Sequence, residues 1–250
     1  MIKITSLLVM AVIVFACDSE NANDCFQTSG PIVQQTREVG SFEKIIVNRD
    51  IELIIQEGST FEVLIETGKN LISDVKVEVV GDQLQLTDGN TCNFIRDFGI
   101  TKIHVTAPDI KEIRSSTQFD ISSKGILNYP NLTLISEDYE FPENFAVGDF
   151  KLKVNSETLR VTANDLSFFY IEGDTKNLNL SFTAGTPRFN GENLIAQHVN
   201  IFHRGSDDMM VNPQQSIKGV INSAGDVISF NRPPLVEVEE LYNGKLIFKD

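Results

Sequence analysis

The chain has 250 residues, 41% of them hydrophobic, with 35 acidic against 21 basic side chains and a formal net charge of −14. That length suits one large or two small domains with a real core, and the composition is not that of a disordered chain. A field of this sign repels phosphate backbones, so nucleic acid is excluded as an expected partner.

Lys3 precedes an uninterrupted apolar run from Leu7 to Ala16. The run is too short to cross about 30 Å of hydrocarbon, but it suits a secretory signal over residues 1–16. It ends Val14-Phe15-Ala16-Cys17, which resembles the lipobox of bacterial lipoproteins: a branched apolar residue, a small residue at −1, then Cys. The resemblance implies cleavage before Cys17, acylation of its sulfur and new amine, and an outer-membrane lipid anchor on the surface or periplasmic face. An ordinary signal peptide cut nearby is the alternative. Several acyl chains hold firmly where one is marginal. Residues 17–36 begin Asp18-Ser-Glu-Asn-Ala-Asn-Asp24 and read as a polar, acidic tether.

With Cys17 lipidated, Cys25 and Cys92 remain as an even pair in an exported chain, where oxidation is permitted. A Cys25–Cys92 disulfide is expected, against two free thiols or a metal pair. For metal there is no third ligand at a useful spacing.

From residue 37 to about 110, alternation dominates. Ile51-Glu-Leu-Ile-Ile-Gln56 is followed by Gly58 and Phe61-Glu-Val-Leu-Ile-Glu66. Val75-Lys-Val-Glu-Val-Val80, the Gly81-Asp82 turn, Gln83-Leu-Gln-Leu-Thr87 and Lys102-Ile-His-Val-Thr106 complete a strand-rich part. No helical period persists, so the body is all-β. Over 111–231 a repeat appears: Gly125, Asp165, Gly185, Gly205 and Gly225 share a 20-residue grid. Apolar pairs precede each corner (Leu159/Val161, Leu180/Phe182, Val199/Ile201, Val220/Ile221). Gly or Asp there supplies the positive φ of a sharp bend. Such a period reads as coils of a β-solenoid, with a β-sandwich as the alternative. The acidic stretch 137–149 falls where the grid would place a coil and is expected to protrude as a loop. Arg232-Pro-Pro-Leu235 breaks the repeat, and residues 232–250 are expected to cap the open end.

Several segments together are similar to the head GIN domain family. They are Gly40-Ser-Phe-Glu-Lys-Ile-Ile-Val47, Ile51-Glu-Leu-Ile-Ile-Gln-Glu-Gly58, Val63-Leu-Ile-Glu-Thr-Gly-Lys-Asn70, Gly81-Asp-Gln-Leu-Gln-Leu86 and Tyr242-Asn-Gly-Lys-Leu-Ile-Phe248. The resemblance covers roughly 37–250. It implies a right-handed parallel β-helix-like fold in exported or lipid-anchored bacterial proteins, and adhesion as a hypothesis. None of its motifs is catalytic.

For chemistry, the densest polar cluster is His203-Arg-Gly-Ser-Asp207-Asp208. A polysaccharide-active β-helix enzyme could use Asp207 and Asp208 as an acid/base pair, but neighbours on a strand face opposite sides. A solvated corner is the expectation. His198 and His203 are five apart and on opposite faces, which is poor for metal. His104 reads as a surface strand residue. Acidic residues 137, 138, 140, 143 and 149 lack the spacing of a known Ca²⁺ loop. No nucleotide or redox motif is present, and neither cofactor nor metal is expected. Tyr129, Tyr139, Tyr170 and Phe141 are candidates for exposure near the insert, while the other Phe residues are expected to stack inside. The reading is a non-enzymatic envelope lipoprotein that binds a glycan or a protein through a rigid solenoid face. The alternatives are the glycan-cleaving enzyme and a periplasmic scaffold or stress component.

Overall fold

A computed structural model describes residues 24–249 apart from 91, 95, 98 and 139–144. The protein is all-β, with its strands in one nearly closed, barrel-like sheet. In chain order the strands are β1 Ile32–Arg37, β2 Lys44–Val47, β3 Ile51–Glu57, β4 Glu62–Gly68, β5 Val75–Val80, β6 Gln83–Asp88, β7 Thr101–Ala107, β8 Glu112–Ser115 and β9 Ile121–Leu127. They continue as β10 Asn131–Ser136, β11 Phe150–Ala163, β12 Phe168–Phe182, β13 Arg188–His203, β14 Met209–Ile221, β15 Val227–Ser229, β16 Leu235–Glu240 and β17 Leu246–Phe248.

The long strands β11 to β14 each serve two parallel ladders. The C-terminal half of β11 pairs with β10, while its N-terminal half pairs with β9. The first ladder therefore runs β6, β2, β8, β10, then the second halves of β11–β14, then β16. The second runs β7, β3, β9, then the first halves of β11–β14, then β15 and β17. Strand alternation sends every second side chain between the ladders. One inward column reads Ile103, Leu53, Ile121, Phe150, Phe169, Phe189, Met209, Val227, Leu246. Facing it, Leu84, Ile45, Ile113, Leu134, Val161, Leu180 and Ile201 form a second column. Phe150 and Phe169 stack with centroids 4.8 Å apart. Each such side chain, removed from water, stabilises by about 1.5–3 kcal/mol.

The 20-residue grid is right about four of its five corners and wrong about faces. Gly185 turns the corner between ladders with φ 72°, where a Cβ would lie 2.5 Å from the Asn164 carbonyl oxygen. Thr162, however, pairs with Ser181, then Phe202, then Val220, so the spacing varies around the grid value. Each one-residue slip reverses faces. Phe182 points in and Phe202 out, although the grid equates them. Gly125 lies inside β9, not at a corner.

Three boundaries read from the sequence are corrected. Residues 32–37 are not tether: β1 pairs antiparallel with β4, which pairs antiparallel with β7. The parallel stack does not begin at 111, because β2 and β3 sit between β6/β7 and β8/β9, out of sequence order. No periodicity can announce an inserted pair of strands whose partners lie forward in the chain. The segment 232–250 is not a cap. β16 and β17 extend the stack in parallel and, among the described residues, pair on one edge only. Charge takes the place of a cap: Glu237 and Glu239 lie on β16, Lys245 pairs with Glu240, and Arg232 and Lys249 cover the rings of Phe248 and Phe230. The acidic stretch 137–149 lies between β10 and β11, and residues 139–144 of it are outside the described residues.

Candidate functional site

The second ladder is irregular at one height. Register slips between Lys151 and Lys153 against β9, between Tyr170 and Gly173 against β13, and between Asn190 and Ile195 against β14. Bulges of this kind leave residues unpaired, bend the strand and re-aim side chains. Gly173, where the register with β13 resumes, has φ 112°, and a Cβ there would fall 2.1 Å from the Val154 carbonyl oxygen of β11. Aligned over consecutive strands, the bulges open a groove of 420 Å³ on the outer face.

Leu152 and Ile171 line the base of this groove but turn their side chains into the core. Its walls carry Ser122 and Ser123 from β9, Lys151 and Lys153 from β11, Tyr170 and Glu172 from β12, and Asn190 and Asn193 from β13. The charged walls are matched internally. Lys153 pairs with Glu172 at 2.7 Å, and Lys151 pairs with Asp120, whose hydrogen bond raises the lysine pKa. The Ser123 hydroxyl accepts the Lys153 amide at 2.9 Å. What remains for a ligand is the Tyr170 ring, 39% exposed, with the Asn193 amide and the Ser122 hydroxyl. Beside the groove, Arg188 lies over Phe168 and donates twice to Asp207, both at 3.0 Å.

That ion pair bears on the residues named from sequence. The Asp207 carboxylate is occupied by Arg188, and Asp208 accepts the Asp226 amide at 2.9 Å, so the two carboxylates are held in separate structural roles. His203 does not belong to a solvated corner. It is buried in the inward column Ser136, Ala163, Phe182, His203, Ile221, with its ring edge-on to Phe182. Burial pushes its pKa down, against the opposing pull of the Asp207 backbone and the Asp208 and Asp226 carboxylates. His198 faces outward and bonds the Ser216 hydroxyl at 2.9 Å, so the two imidazoles do lie on opposite faces.

Cys25 and Cys92 are bonded, S–S 2.08 Å, tying the 3₁₀ turn 24–26 to the segment before β7. Cys17, with residues 1–16, lies outside the described residues. In the acidic insert, residues 139–144 also lie outside them, including Tyr139, Glu140, Phe141 and Glu143. The rest are separately engaged: Glu137 with Arg114 at 2.9 Å, Asp138 with Asn164 at 2.6 Å, and Asp149 with the Phe168 amide at 3.1 Å. Among the described residues, no group of three or more His, Cys, Asp or Glu side chains could hold a metal ion. Tyr129 is buried and donates to the Ala107 carbonyl, whereas Tyr170 is exposed. Sequence reasoning named Tyr170 but missed Ser122, Lys153, Asn190 and Asn193. Only the Gly-containing strings Lys124-Gly125 and Asn190-Gly191 hinted at bulges there.

The model of the family described as "Putative auto-transporter adhesin, head GIN domain" matches residues 41–233. Among solved structures, a putative adhesin from Bacteroides fragilis aligns with TM-score 0.78 at 18% identity, over 89% of this chain and 99% of its own. A putative adhesin from Parabacteroides merdae aligns with TM-score 0.58 at 15% identity, over 88% and 97%. A protein from Parabacteroides distasonis described as a putative lipid binding protein aligns with TM-score 0.62 at 12% identity, over 88% and 98%. At these identities the likeness is one of fold. No curated protein sequence matches the chain. Among the described residues, no helix is long and apolar enough to cross a membrane.

Proposed function

The chain belongs to the head GIN domain family, and from that premise we propose that it is a non-enzymatic binding protein of the cell envelope, held to the outer membrane by lipid on Cys17. We read its parallel stack as a right-handed β-helix serving as a rigid arm. The near-constant register supports this reading, with Phe150, Phe169, Phe189 and Met209 recurring at one position. The observation that carries a binding role is the bulge-built groove. Its ammonium and carboxylate groups satisfy each other, leaving an aromatic ring, amides and hydroxyls. Those groups hold a ligand without a free general acid or base. Asp207, engaged by Arg188, offers nothing comparable for glycan cleavage.

The test is protease access to the full chain on intact and lysed cells, with a Cys17→Ala variant in parallel. Digestion on intact cells and release of the variant from membranes are the expected results. Protection until lysis removes the adhesive reading in favour of a periplasmic scaffold, and a variant that stays with membranes removes the anchor.

A further inference from the structure

We propose that the groove on the second ladder is a binding cleft for a neutral oligosaccharide, a reading that rests on the binding role above and names its ligand class. The groove crosses four neighbouring strands from Ser122 on β9 to Asn193 on β13. At roughly 4.8 Å per strand that is about 14 Å, the length of a short oligosaccharide rather than one sugar. Its 420 Å³ lies within the range of about 300–1,000 Å³ typical of ligand clefts.

The chemistry of the walls selects the class. A pyranose has one flank of C–H groups and a rim of hydroxyls, each able to donate and accept. Tyr170 presents an exposed, rigid ring for the first, at little conformational cost. The Asn193 amide offers a donor and an acceptor in one plane for two adjacent hydroxyls, and Ser122 adds a hydroxyl that does both. Lys153 and Glu172 hold each other at 2.7 Å, and Lys151 is held by Asp120, so no free cation favours a phosphate or carboxylate.

An extended peptide fits less well. The strands bordering the groove are paired on both sides, so no sheet edge is open for strand addition there. Leu152 and Ile171 turn their side chains into the core, so the base of the groove offers no apolar cup for an anchoring side chain. The bulges give the reason for the site. A regular ladder keeps its outward side chains in straight rows, and the slips at Lys151, Tyr170 and Asn190 interrupt those rows where the groove lies.

The experiment is calorimetric titration of the full chain with neutral gluco-, manno- and xylo-oligosaccharides. Tyr170→Ala, Tyr170→Phe and Asn193→Ala are titrated alongside, with Asn200→Ala on the other ladder as control. Binding of at least one oligosaccharide with Kd between about 10 μM and 1 mM is expected. Tyr170→Ala should weaken it at least about tenfold and Asn193→Ala severalfold, while Tyr170→Phe and Asn200→Ala retain it. Three outcomes overturn the proposal: no oligosaccharide bound at about 10 mM by folded protein, binding indifferent to Tyr170→Ala, or Tyr170-dependent binding of peptides alone. If cells bearing the protein still adhere while sugars fail to bind, the cleft assignment falls and the adhesive role stands. Source is read from a second arm, in which binding to the cell's own polysaccharide is compared with binding to foreign surface glycans.

Discussion

The two ladders share strands, corners and a core, yet their strand registers differ in regularity. On the first, the second halves of β11 to β13 stay in register through Leu159, Leu178 and Val199 and then Val161, Leu180 and Ile201. On its outer face Asn200 donates to Asn179 at 3.2 Å and Phe202 is exposed. On the second, β11 slips against β9, β12 against β13, and β13 against β14 at Asn190 and again past Ala196, and the slips at Lys151, Tyr170 and Asn190 border the groove. Regular pairing thus provides stiffness, and a local departure from it makes a concavity. Neither ladder needs an irregular loop to do this.

Four experiments sharpen or break that contrast, all read by urea unfolding. The largest effect is expected where both ladders depend on one residue. Phe169→Ala opens a cavity against Phe150 and Phe182 and should cost about 3–5 kcal/mol. A much smaller loss would mean that the core collapses around the gap and that the ladders are only loosely coupled.

Next comes the bulge itself. Gly173→Ala forces a side chain at φ 112° against the Val154 carbonyl and should cost about 2 kcal/mol from backbone strain. Tolerance without loss would show that the β11–β12 backbone beside the groove yields at that position.

The third is a pH effect. His203 is kept neutral by burial, so its folded pKa lies below its unfolded value near 6.5. The folded state then binds fewer protons. Stability is complete above about pH 6.5 and declines as pH falls through that value towards the depressed one, at no more than about 1.4 kcal/mol per pH unit. His203→Phe, which repeats Phe182 in the column, should remove that part of the decline between pH 7 and 5. Parallel curves for the two proteins would contradict the assignment.

The smallest effect belongs to the outer face of the first ladder. Asn200→Ala removes one exposed amide bond and should change stability by less than about 0.5 kcal/mol. A larger loss would mean that the amide ladder, not only the core, holds the first ladder in register.

Much of this architecture was legible in the chain. Alternation in Ile51–Gln56 or Gln83–Thr87 dictates strands because period two is a property of the extended backbone, whatever the strand pairs with. The corner at Gly185 was legible because a positive φ narrows the choice of residue. The pairing of Cys25 with Cys92 followed from the even count left once Cys17 is set aside, under an expectation of export. Family membership could be read from strings spread along the body, and the matched span confirms it.

What remained for the tertiary structure has one physical cause: it depends on which strand lies beside which. Local pattern does not show that β2 and β3 insert between later strands, that β16 and β17 extend the stack instead of capping it, or that His203 takes an inward place while Phe202 faces out. The groove is the sharpest case. Ser122, Lys153, Tyr170 and Asn193 come from four strands, and no spacing in the chain brings them together. Their meeting follows from three register slips falling at one height, and a register is a relation between strands that no single strand encodes.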